Sequence, residues 1–380
     1  MTASRISGDS TPVEQYLMGN IACAEGALAA GCRFYGGYPI TPSSEIMERM
    51  ANRLPRVGGT FIQMEDEIGS ICAVIGAAWA GAKAMTATSG PGFSLMMEAI
   101  GYAAWTETPC VIVDIQRAGP CTGQATKVGS GDILQARYGS HGDYMPIALS
   151  PWSVQELYDM TIRAFNLAER FRVPVFVMSD EAVGHLRENV VLHRDFTLVE
   201  RKKKPGLPPF GTDDRDCVPP MPAFGEGENL LVTGSTHDDR GFRKVDHPEI
   251  HARLVERIHR KIEAGRADLV DIQAEAMDDA TLAVAAYGFT ARSAIAAVKA
   301  ARRRGTKIGF LRLKTLWPFP DRELREALSG VKKVLVPEMN RGQVAMLVRA
   351  CTGAEVVSYG QTNGRPIELE TIEEEIARIA

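Results

Sequence analysis

Short apolar runs alternate with longer segments of helical periodicity along the first half of the chain. Such runs predict β-strands, and segments whose apolar positions recur every three or four residues predict helices. The predicted strands cover residues 33–38, 61–64, 84–88, 110–115 and 174–178. Between the last two, Ser153 and Glu156 form a capping box at the start of a helix. From Gly19 to about Val191 this alternation predicts a doubly wound α/β domain with a mostly parallel sheet.

The same alternation returns near the end of the chain. It predicts strands at 281–287, 307–313, 332–337 and 354–359, and helices at 290–304 and 341–351. Gly305 and Gly353 follow these helices, as is typical of helix C-termini. This second α/β pattern predicts a separate domain. It carries no catalytic constellation, and its expected role is docking of neighbouring chains.

A proline-rich segment separates the two patterns. Prolines occur at positions 205, 208, 209, 219, 220 and 222, after a basic run at 201–204. This composition predicts an extended connection, and the basic run is interpreted as a solvated charged segment. A long helix is predicted at 251–264. The predicted division of the chain is therefore 1–200, a connecting segment at 201–278, and 279–380.

Composition and charge narrow the class of protein. The chain has 380 residues, 45% hydrophobic and 24% charged, which is enough for two or three globular domains. Its net charge of −4 lacks the excess of basic residues typical of a nucleic-acid-binding surface. No apolar stretch is long enough to span a bilayer, and no signal peptide is visible. We therefore expect a cytoplasmic protein with neither nucleic acid nor membrane as a partner.

The seven cysteines are scattered, and no two form a Cys-x-x-Cys pair. This pattern argues against a disulfide framework and against iron–sulfur ligands in this chain. Any cluster would have to be held by another chain. His247 and His251, near His237 and two aspartates, are weak candidates for a metal site, and no metal is predicted in this chain.

The turn at residues 36–44 is a candidate anion site. Pro42 suits a first helical position, so Thr41 is predicted to be the N-cap of the following helix. The start of a helix offers unpaired backbone N–H groups and the positive end of the helix dipole, which suit a carboxylate or phosphate. Taken alone, the turn favours a capped helix without a ligand.

Glu67 is the stronger candidate for chemistry. It follows the apolar run at 61–64 and begins a helix of mostly small and apolar residues, so its surroundings are expected to be dry. A carboxyl group there resists ionisation and can hold a proton near neutral pH. The alternative is that Glu65, Asp66 and Glu67 only complement the helix dipole. This alternative fits Glu65 and Asp66 better than Glu67.

Four motifs in order resemble those of a known family. They are Tyr-Pro-Ile-Thr-Pro-Ser-Ser at 38–44, Glu-Asp-Glu-Ile-Gly at 65–69, Ser-Gly-Pro-Gly-Phe-Ser-Leu-Met at 89–96 and Gln-Arg-Ala-Gly-Pro at 116–120. Together they resemble the α subunit of 2-oxoacid:ferredoxin oxidoreductases, and the resemblance extends from about Gly19 to the end of the chain. Leu-Trp-Pro-Phe-Pro at 316–320 is similar to the second, transketolase-C-like domain of that family.

The resemblance implies a thiamine diphosphate enzyme whose first domain binds the pyrimidine ring. Glu67, with Glu65 as second choice, would contact the aminopyrimidine. The other residues expected beside the cofactor are Tyr38, Pro39, Ser89, Gly90 and Phe93. The chain lacks the Gly-Asp-Gly and Asn motif expected of the diphosphate and Mg²⁺ site of thiamine enzymes. A separate β subunit is therefore expected to hold the diphosphate and Mg²⁺ and to carry or adjoin 4Fe-4S clusters.

The expected substrate contacts begin with Thr41 and Arg117, which by resemblance hold the C1 carboxylate of a 2-oxoacid. Arg117 follows a predicted strand, at the edge where open α/β sheets bind ligands. A guanidinium there can grip a carboxylate through two hydrogen bonds. Thr122 and Lys127 are further expected substrate contacts.

The loop at 119–127 resembles the branch of the family that acts on 2-oxoglutarate. It departs from that pattern where Cys121 replaces a serine and Ala125 replaces a proline. The candidates for binding a distal carboxylate are Lys127, Arg137 and His141. A branched-chain 2-oxoacid such as 2-oxoisovalerate, which needs an apolar pocket, stays open as an alternative substrate, as does pyruvate.

The predicted activity is the oxidative decarboxylation of a 2-oxoacid, first of all 2-oxoglutarate. Coenzyme A and oxidised ferredoxin would be consumed, and acyl-CoA, CO₂ and reduced ferredoxin formed, or the reverse. The expected partners are a β subunit, ferredoxin, and candidate γ and δ subunits. The alternative from another class is an assembly module without catalytic residues of its own. The joint presence of Thr41, Glu67 and Arg117 argues against that alternative.

Overall fold

The structure is a computed structural model that describes residues 3–5 and 12–380. Its strands are β1 Ala3–Arg5, β2 Val13–Met18, β3 Phe34–Gly37, β4 Thr60–Gln63, β5 Ala84–Thr88, β6 Cys110–Ala118, β7 Gln124–Val128, β8 Ile147–Leu149, β9 Pro174–Asp180, β10 Arg187–Leu192, β11 Thr197–Val199, β12 Ile272–Glu275, β13 Leu282–Ala286, β14 Ile308–Leu313, β15 Thr315–Trp317, β16 Lys333–Glu338 and β17 Glu355–Gly360. Its helices are α1 Gly19–Ala29, α2 Ser44–Arg53, α3 Glu67–Trp79, α4 Gly90–Trp105, α5 Ile133–Tyr138, α6 Val154–Phe171, α7 Glu181–His185, α8 Pro248–Ala264, α9 Arg266–Leu269, α10 Thr290–Arg303, α11 Asp321–Ala327, α12 Gln343–Cys351 and α13 Leu369–Ile379.

The larger sheet contains all the strands predicted for the first half of the chain. Its order is β15-β8-β9-β6-β5-β3-β4, and β7 pairs with β6. The neighbours from β8 to β4 run parallel, whereas β15 and β7 are antiparallel to their neighbours. Helices α1, α2 and α6 pack on one face, and α3 and α4 on the other. The prediction of a doubly wound α/β fold is confirmed.

The central strand β6 shows why these strands are continuous apolar runs. Val111 and Val113 pack against the helices on one face, and Cys110 and Ile112 against those on the other. A strand that is covered on both faces needs apolar side chains at successive positions. Alternation of polar and apolar residues would instead have predicted one solvated face.

The smaller sheet has the order β12-β14-β13-β16-β17. Its strands are parallel except for β12 at the edge. Helices α10 and α13 pack on one face, and α11 and α12 on the other. The predicted bounds of its strands and of α10 and α12 differ from the observed ones by at most two residues.

The segment with the Leu-Trp-Pro-Phe-Pro motif joins the two sheets. Its strand β15 follows β14 of the smaller sheet and pairs with β8 at the edge of the larger one. The Trp317 indole Nε1 donates a hydrogen bond to the Ile133 carbonyl oxygen at 3.0 Å. Apolar side chains from both units also form one continuous cluster. The motif therefore holds the second unit against the first within the same chain.

The connector is packed against the first unit at its start. Arg201 is buried, and its Nη2 lies 2.7 Å from Oε1 of Glu169. The interpretation of the run at 201–204 as solvated is therefore wrong for Arg201, because the buried Glu169 carboxylate requires a cation. Lys203 and Lys204, at the end of the run, are exposed.

Helix α8 is the long helix predicted at 251–264, and it begins earlier, at Pro248. It docks on the end of α4 through Arg257 and Lys261, which both pair with the buried Glu107.

Among residues 3–5 and 12–380, no helix combines the length and the apolar character needed to cross a bilayer.

Candidate active site

The carboxyl ends of β6, β5, β3 and β4 lie side by side in the larger sheet. Each strand leads into one of the four motifs, at 116–120, 89–96, 38–44 and 65–69 respectively. Open parallel sheets bind their ligands at this edge, where the loops and helix N-termini converge. The carboxyl edge of the larger sheet is therefore the candidate active site.

The turn after β3 differs from its prediction. Helix α2 begins at Ser44, and its N-cap residue is Ser43, without a hydrogen bond from the side chain to the helix. Instead the Ser43 N–H donates to the Ile40 carbonyl oxygen at 2.9 Å, and Ser43 Oγ donates to the same oxygen at 3.0 Å. The prediction of Thr41 as N-cap is wrong, because this turn occupies residues 40–43 before the helix starts. Thr41 is exposed in the turn.

Glu67 begins helix α3, as predicted, and Asp66 is the N-cap, its Oδ1 accepting from the Gly69 N–H at 2.7 Å. Glu67 is only 5% exposed, whereas Glu65 and Asp66 are exposed. Burial raises the pKa of Glu67 above its usual value. The negative charge of Asp66 raises the pKa of Glu67 further. A hydrogen bond from the Glu67 backbone N–H and the positive charge of Arg117 both lower it. The buried position of Glu67 thus favours the protonated form of its carboxyl group.

The start of α4 packs directly on the Glu67 carboxyl group. A Cβ atom at Gly92 would overlap with Oε1 of Glu67 and with Oγ1 of Thr88. Glycine at this position lets the backbone of α4 approach the carboxyl group. Among the residues that the structure describes, no other side chain forms a hydrogen bond with this carboxyl group. Its oxygens therefore keep hydrogen-bonding capacity for a ligand.

Arg117, at the end of β6, reaches across to the turn after β3. Its Nη1 donates to the Thr41 carbonyl oxygen at 2.7 Å. The residue is 8% exposed, and its Nε has no hydrogen-bond partner within the described part of the chain. Its positive charge opposes the rise in pKa of both Glu67 and Asp132, so the guanidinium lies near both carboxyl groups. A buried guanidinium with an unused donor suits an anionic ligand.

The turn after β5 offers backbone groups and a hydroxyl. Ser89 is buried, and no described atom pairs with its Oγ; Gly90 follows as the first residue of α4. Phe93 is fully buried and packs edge-on against Phe176, with ring centroids 5.4 Å apart. The Phe93 ring therefore faces the core, Ser89 is enclosed as well, and Gly90 is the residue of the three that lines a cavity.

Exposed apolar side chains lie on the same segments as the site residues. Tyr38 and Pro39 are exposed after β3. Ile62 on β4 is 39% exposed, Ile68 on α3 is 48% exposed, and Leu95 on α4 is 49% exposed. Apolar surface concentrated around a site is typical of an interface with another protein.

A cavity of about 590 Å³ lies beside Arg117, between the two units. The start of α4, the end of β6 and residues 128–132 line it from the first unit, and residues 339–343 line it from the second. Its volume is typical of small-molecule sites. The charged residues that line it are Arg117, Asp132 and Arg341. Sequence reasoning does not identify Arg341, since nothing in the primary structure links the loop after β16 to the four motifs.

The structure separates the other predicted substrate contacts from this cavity. Thr122 and Lys127 are exposed on the hairpin of β6 and β7, and neither lines the cavity. Arg137 packs over an aromatic ring of its own helix, with Cζ 4.9 Å from the ring centroid. His141 lines a different cavity, of about 320 Å³. The predicted substrate contacts that the structure brings together are Thr41 and Arg117.

Asp114 and Asp132 form a carboxyl pair that sequence reasoning missed. Asp114 is fully buried on β6, and neither of its oxygens has a donor among the described residues. The negative charge of Asp132 acts on Asp114, so the two carboxyl groups lie close together. Burial raises the pKa of both groups, that of Asp132 from its usual 3.8 to about 6. In the sequence, the feature that could have revealed the pair is Asp114, an aspartate inside an otherwise apolar predicted strand.

The raised pKa of Asp132 predicts a pH dependence. An acid whose pKa is higher in the folded than in the unfolded state contributes stability at low pH that is lost as the pH rises through the folded value. We therefore expect the unfolding free energy of the wild type to fall between about pH 4 and 7 relative to that of Asp132→Asn, which cannot ionise. Urea unfolding of both proteins measures the difference; a difference that is constant over this range would contradict the raised pKa.

A larger cavity, of about 760 Å³, lies at the connector. Lys202 there pairs with Asp214, and Lys203 pairs with Glu226. These pairs compensate much of the charge of the connector cavity, and none of the four motifs reaches it.

Within the ranges that the structure describes, no group of three or more His, Cys, Asp or Glu side chains could hold a metal ion. The carboxyl edge of the larger sheet remains the candidate active site.

Two family models match the chain. The first is described as "Pyruvate flavodoxin/ferredoxin oxidoreductase, thiamine diP-bdg" and covers residues 25–257. The second is described as "Pyruvate:ferredoxin oxidoreductase core domain II" and covers residues 280–372. Thr41, Glu67 and Arg117 lie in the first match, and Arg341 lies in the second.

Individual proteins are similar over nearly the whole chain. The 2-oxoglutarate synthase subunit KorA of Methanocaldococcus jannaschii is 54% identical over 364 residues, which cover 94% of this chain and 98% of that protein. The ketoisovalerate oxidoreductase subunit VorB of Methanothermobacter thermautotrophicus is 36% identical over 368 residues, covering 96% and 98%.

A solved structure is also similar. It is the 2-oxoglutarate:ferredoxin oxidoreductase from Magnetococcus marinus with 2-oxoglutarate, coenzyme A and succinyl-CoA bound. The TM-score is 0.92 and the sequence identity 33%. The match covers 97% of this chain and 65% of that one, so this chain spans about two thirds of its length.

Proposed function

Because this chain belongs to the 2-oxoacid:ferredoxin oxidoreductase family as an α subunit, we propose that it acts, with partner subunits, in the oxidative decarboxylation of a 2-oxoacid. Coenzyme A and oxidised ferredoxin are consumed, and acyl-CoA, CO₂ and reduced ferredoxin are formed, or the reverse. 2-Oxoglutarate is the first-choice substrate. The reaction class follows from the family, and the residue roles follow from the site.

The observation that carries the proposal is the environment of Glu67. Its carboxyl group is buried, its pKa is raised, and no other side chain among the described residues bonds to it. A carboxyl group of this kind fits the aminopyrimidine nitrogen of thiamine diphosphate, with which it can exchange a proton. When bound, that cofactor supplies the electron sink that no side chain provides for decarboxylation of a 2-oxoacid.

Arg117 and Thr41 are the proposed contacts of the C1 carboxylate of the substrate. The hydrogen bond from Nη1 to the Thr41 carbonyl oxygen orients the guanidinium, and the buried Nε has no partner among the described residues. Hydrogen bonds between a guanidinium and a carboxylate are charge-assisted because both groups are charged. Burial of the Arg117 side chain leaves little water to compete with them. Ser89 and Gly90, at the head of α4, are proposed to contact the cofactor together with Tyr38 and Pro39.

The working form is a complex of several chains, since the relatives are named as subunits. We propose that a β subunit docks on the exposed apolar residues near Glu67, namely Tyr38, Ile62, Ile68 and Leu95. It would hold the diphosphate and Mg²⁺ and carry or adjoin 4Fe-4S clusters, because the sequence of this chain shows neither the Gly-Asp-Gly and Asn motif nor a Cys-x-x-Cys pair. γ and δ subunits and ferredoxin complete the proposed partners, and a cytoplasmic location belongs to the same proposal.

The charge of the cavity favours 2-oxoglutarate over a branched-chain 2-oxoacid. Two guanidinium groups and one carboxyl group line it, which suits a dicarboxylate better than an apolar side chain. The relative named for 2-oxoglutarate is 54% identical and the one named for ketoisovalerate 36% identical. Cys121 lines the cavity as well, where the 2-oxoglutarate branch has serine, so pyruvate and 2-oxoisovalerate belong in any substrate test.

The division into 1–200, 201–278 and 279–380 remains part of the proposal. The first part would be the pyrimidine-binding domain and the last the transketolase-C-like domain. The two sheets of the structure support this division. The exception is β15, which belongs to the last part by position and to the larger sheet by pairing.

The purified complex tests the proposed function. We expect thiamine- and coenzyme-A-dependent reduction of a low-potential electron acceptor, with 2-oxoglutarate giving the highest kcat/KM in a panel that includes pyruvate and 2-oxoisovalerate. Reactions without coenzyme A are the control. Absence of activity with every 2-oxoacid would refute the proposal. If bound cofactor also made no contact with this chain, the assembly-module alternative would replace it.

A further inference from the structure

Arg341 lines the cavity beside Arg117 and has no ion-pair partner within the described part of the chain. It is exposed, on the loop between β16 and α12. The residues that the sequence suggested for a distal carboxylate, Lys127, Arg137 and His141, do not line this cavity. An unpaired guanidinium at a concave site that already holds a second guanidinium is a candidate contact for an anion with two charged ends.

The residues on either side hold Arg341 at the cavity. Asn340 Nδ2 donates to the Ser130 carbonyl oxygen at 2.7 Å, and Gln343 Nε2 donates to the Gly131 carbonyl oxygen at 2.6 Å. Ser130 and Gly131 belong to the loop of the first unit that lines the same cavity. The backbone of Arg341 is thus fixed relative to the unit that carries Arg117, so its side chain needs no rearrangement of the loop to reach a ligand.

Asn340 is anchored in the second unit as well. Its Nδ2 lies 2.8 Å from the Tyr287 hydroxyl, which donates to Oε2 of Glu338 at 2.9 Å. Glu338 in turn accepts hydrogen bonds from the backbone N–H groups of Val344 and Ala345 at the start of α12. The loop that carries Arg341 is therefore tied to both sheets.

The net charge of the cavity lining is positive. Asp132 is the one carboxyl group among the described residues that line it. Burial raises the pKa of both Asp132 and its neighbour Asp114, which disfavours a double negative charge on the pair. Two guanidinium groups and the one carboxyl group of Asp132 line the cavity, which leaves an excess of positive charge for a ligand.

We propose that Arg341 binds the distal carboxylate of a dicarboxylic 2-oxoacid whose C1 carboxylate is held by Arg117. This inference rests on the proposed function and names the residue that selects a dicarboxylate. A guanidinium can bind a carboxylate through two parallel hydrogen bonds. A cavity of about 590 Å³ accommodates a five-carbon dicarboxylate. Arg341 thereby replaces Lys127, Arg137 and His141 as the expected distal contact.

The test compares Arg341→Gln with Lys127→Gln in the purified complex. Charge-assisted hydrogen bonds contribute about 1.5–3 kcal/mol, so Arg341→Gln is expected to raise KM for 2-oxoglutarate roughly 10- to 100-fold. The distal carboxylate does not react, so kcat should change little. The kcat/KM for 2-oxobutyrate, which lacks a distal carboxylate, should stay within about threefold of wild type. Arg341→Lys should lie between wild type and Arg341→Gln.

Lys127→Gln is the matched control, because it also removes one exposed cation, and its KM for 2-oxoglutarate should match wild type. An unchanged KM for 2-oxoglutarate in Arg341→Gln would overturn the inference, as would an equal loss with 2-oxobutyrate or a raised KM for coenzyme A alone. In each of these results the wild-type complex remains active on 2-oxoacids. Failure of the proposed function would instead appear as an inactive wild type.

Discussion

Replacing Glu67 with glutamine is expected to lower turnover of the assembled complex by about 10²- to 10⁴-fold, the usual contribution of a positioned proton-transfer group. Glutamine has nearly the same shape and can still contact a ring nitrogen, but it cannot exchange a proton. The glutamine amide also fits beside Gly92, because it has as many heavy atoms as the carboxyl group that it replaces. Single-turnover reduction of the acceptor with 2-oxoglutarate measures the loss.

Glu65→Gln is the control for this result. Glu65 lies two residues earlier and is exposed, so the variant should turn over close to wild type. Assembly of the Glu67→Gln chain should be intact, because replacing a buried carboxyl group of raised pKa by a neutral amide removes a desolvation cost. Near-normal turnover of Glu67→Gln, with a loss in Glu65→Gln, would transfer the proton role to Glu65.

Replacing Glu107 with glutamine is expected to lower the free energy of unfolding by about 3–5 kcal/mol, the usual cost of removing one partner from a buried ion pair. Glu107 is fully buried between Arg257 Nη2, at 2.5 Å, and Lys261 Nζ, at 2.7 Å. Burial by itself would raise the pKa of Glu107, but Arg257 and Lys261 hold it well below its usual range. Without this carboxylate, two cations of α8 would be buried uncompensated. Urea unfolding of the purified protein measures the loss.

The same variant should show a characteristic pH dependence. Burial lowers the pKa of Lys261 to about 8, and Glu107 opposes that shift. Without Glu107, the pKa of Lys261 should fall further, so the variant loses this proton at a lower pH than the wild type does. The deficit relative to wild type should therefore shrink as the pH rises towards about 8 and stay constant above it, where neither folded protein holds the proton. Glu263→Gln, on the same helix, is the control: its pair with Arg322 is exposed, at 3.1 Å, and its loss should cost less than about 1 kcal/mol. A Glu107→Gln deficit as small as that of Glu263→Gln would show that the buried pair does not hold α8 in place.

Most of the fold was predictable from the chain because both sheets are covered on two faces. Such strands are unbroken apolar runs, and their helices carry clear periodicity and caps. The added strands β7 and β15 were not predictable in the same way. They are short, and their pairing depends on which strand lies nearby after folding: the end of the central strand β6 for β7, and the edge strand β8 for β15. Trp317, for example, forms its hydrogen bond to a carbonyl group at residue 133.

The candidate site was predictable in part. Glu67 follows β4 and Arg117 lies at the end of β6, at the edge where parallel sheets bind ligands, so local sequence together with the family resemblance was sufficient to select them. Thr41 was misplaced as an N-cap because the turn ahead of α2 is closed by hydrogen bonds to Ile40. Arg341 was included in a helix predicted at 341–351, whereas α12 starts two residues later and leaves Arg341 on the loop that lines the cavity.

By itself, the order of residues determined the α/β class, the strands that build each sheet, the family resemblance and the position of Glu67 at the head of a helix. These properties depend on periodicity, on short motifs and on neighbours within a few positions. The tertiary structure alone decided that Arg117 and Arg341 line one cavity, that Asp114 and Asp132 are buried close together, and that Glu107 is compensated by α8. Each of these depends on groups more than ten residues apart, whose meeting is set by how the sheets, loops and connector pack.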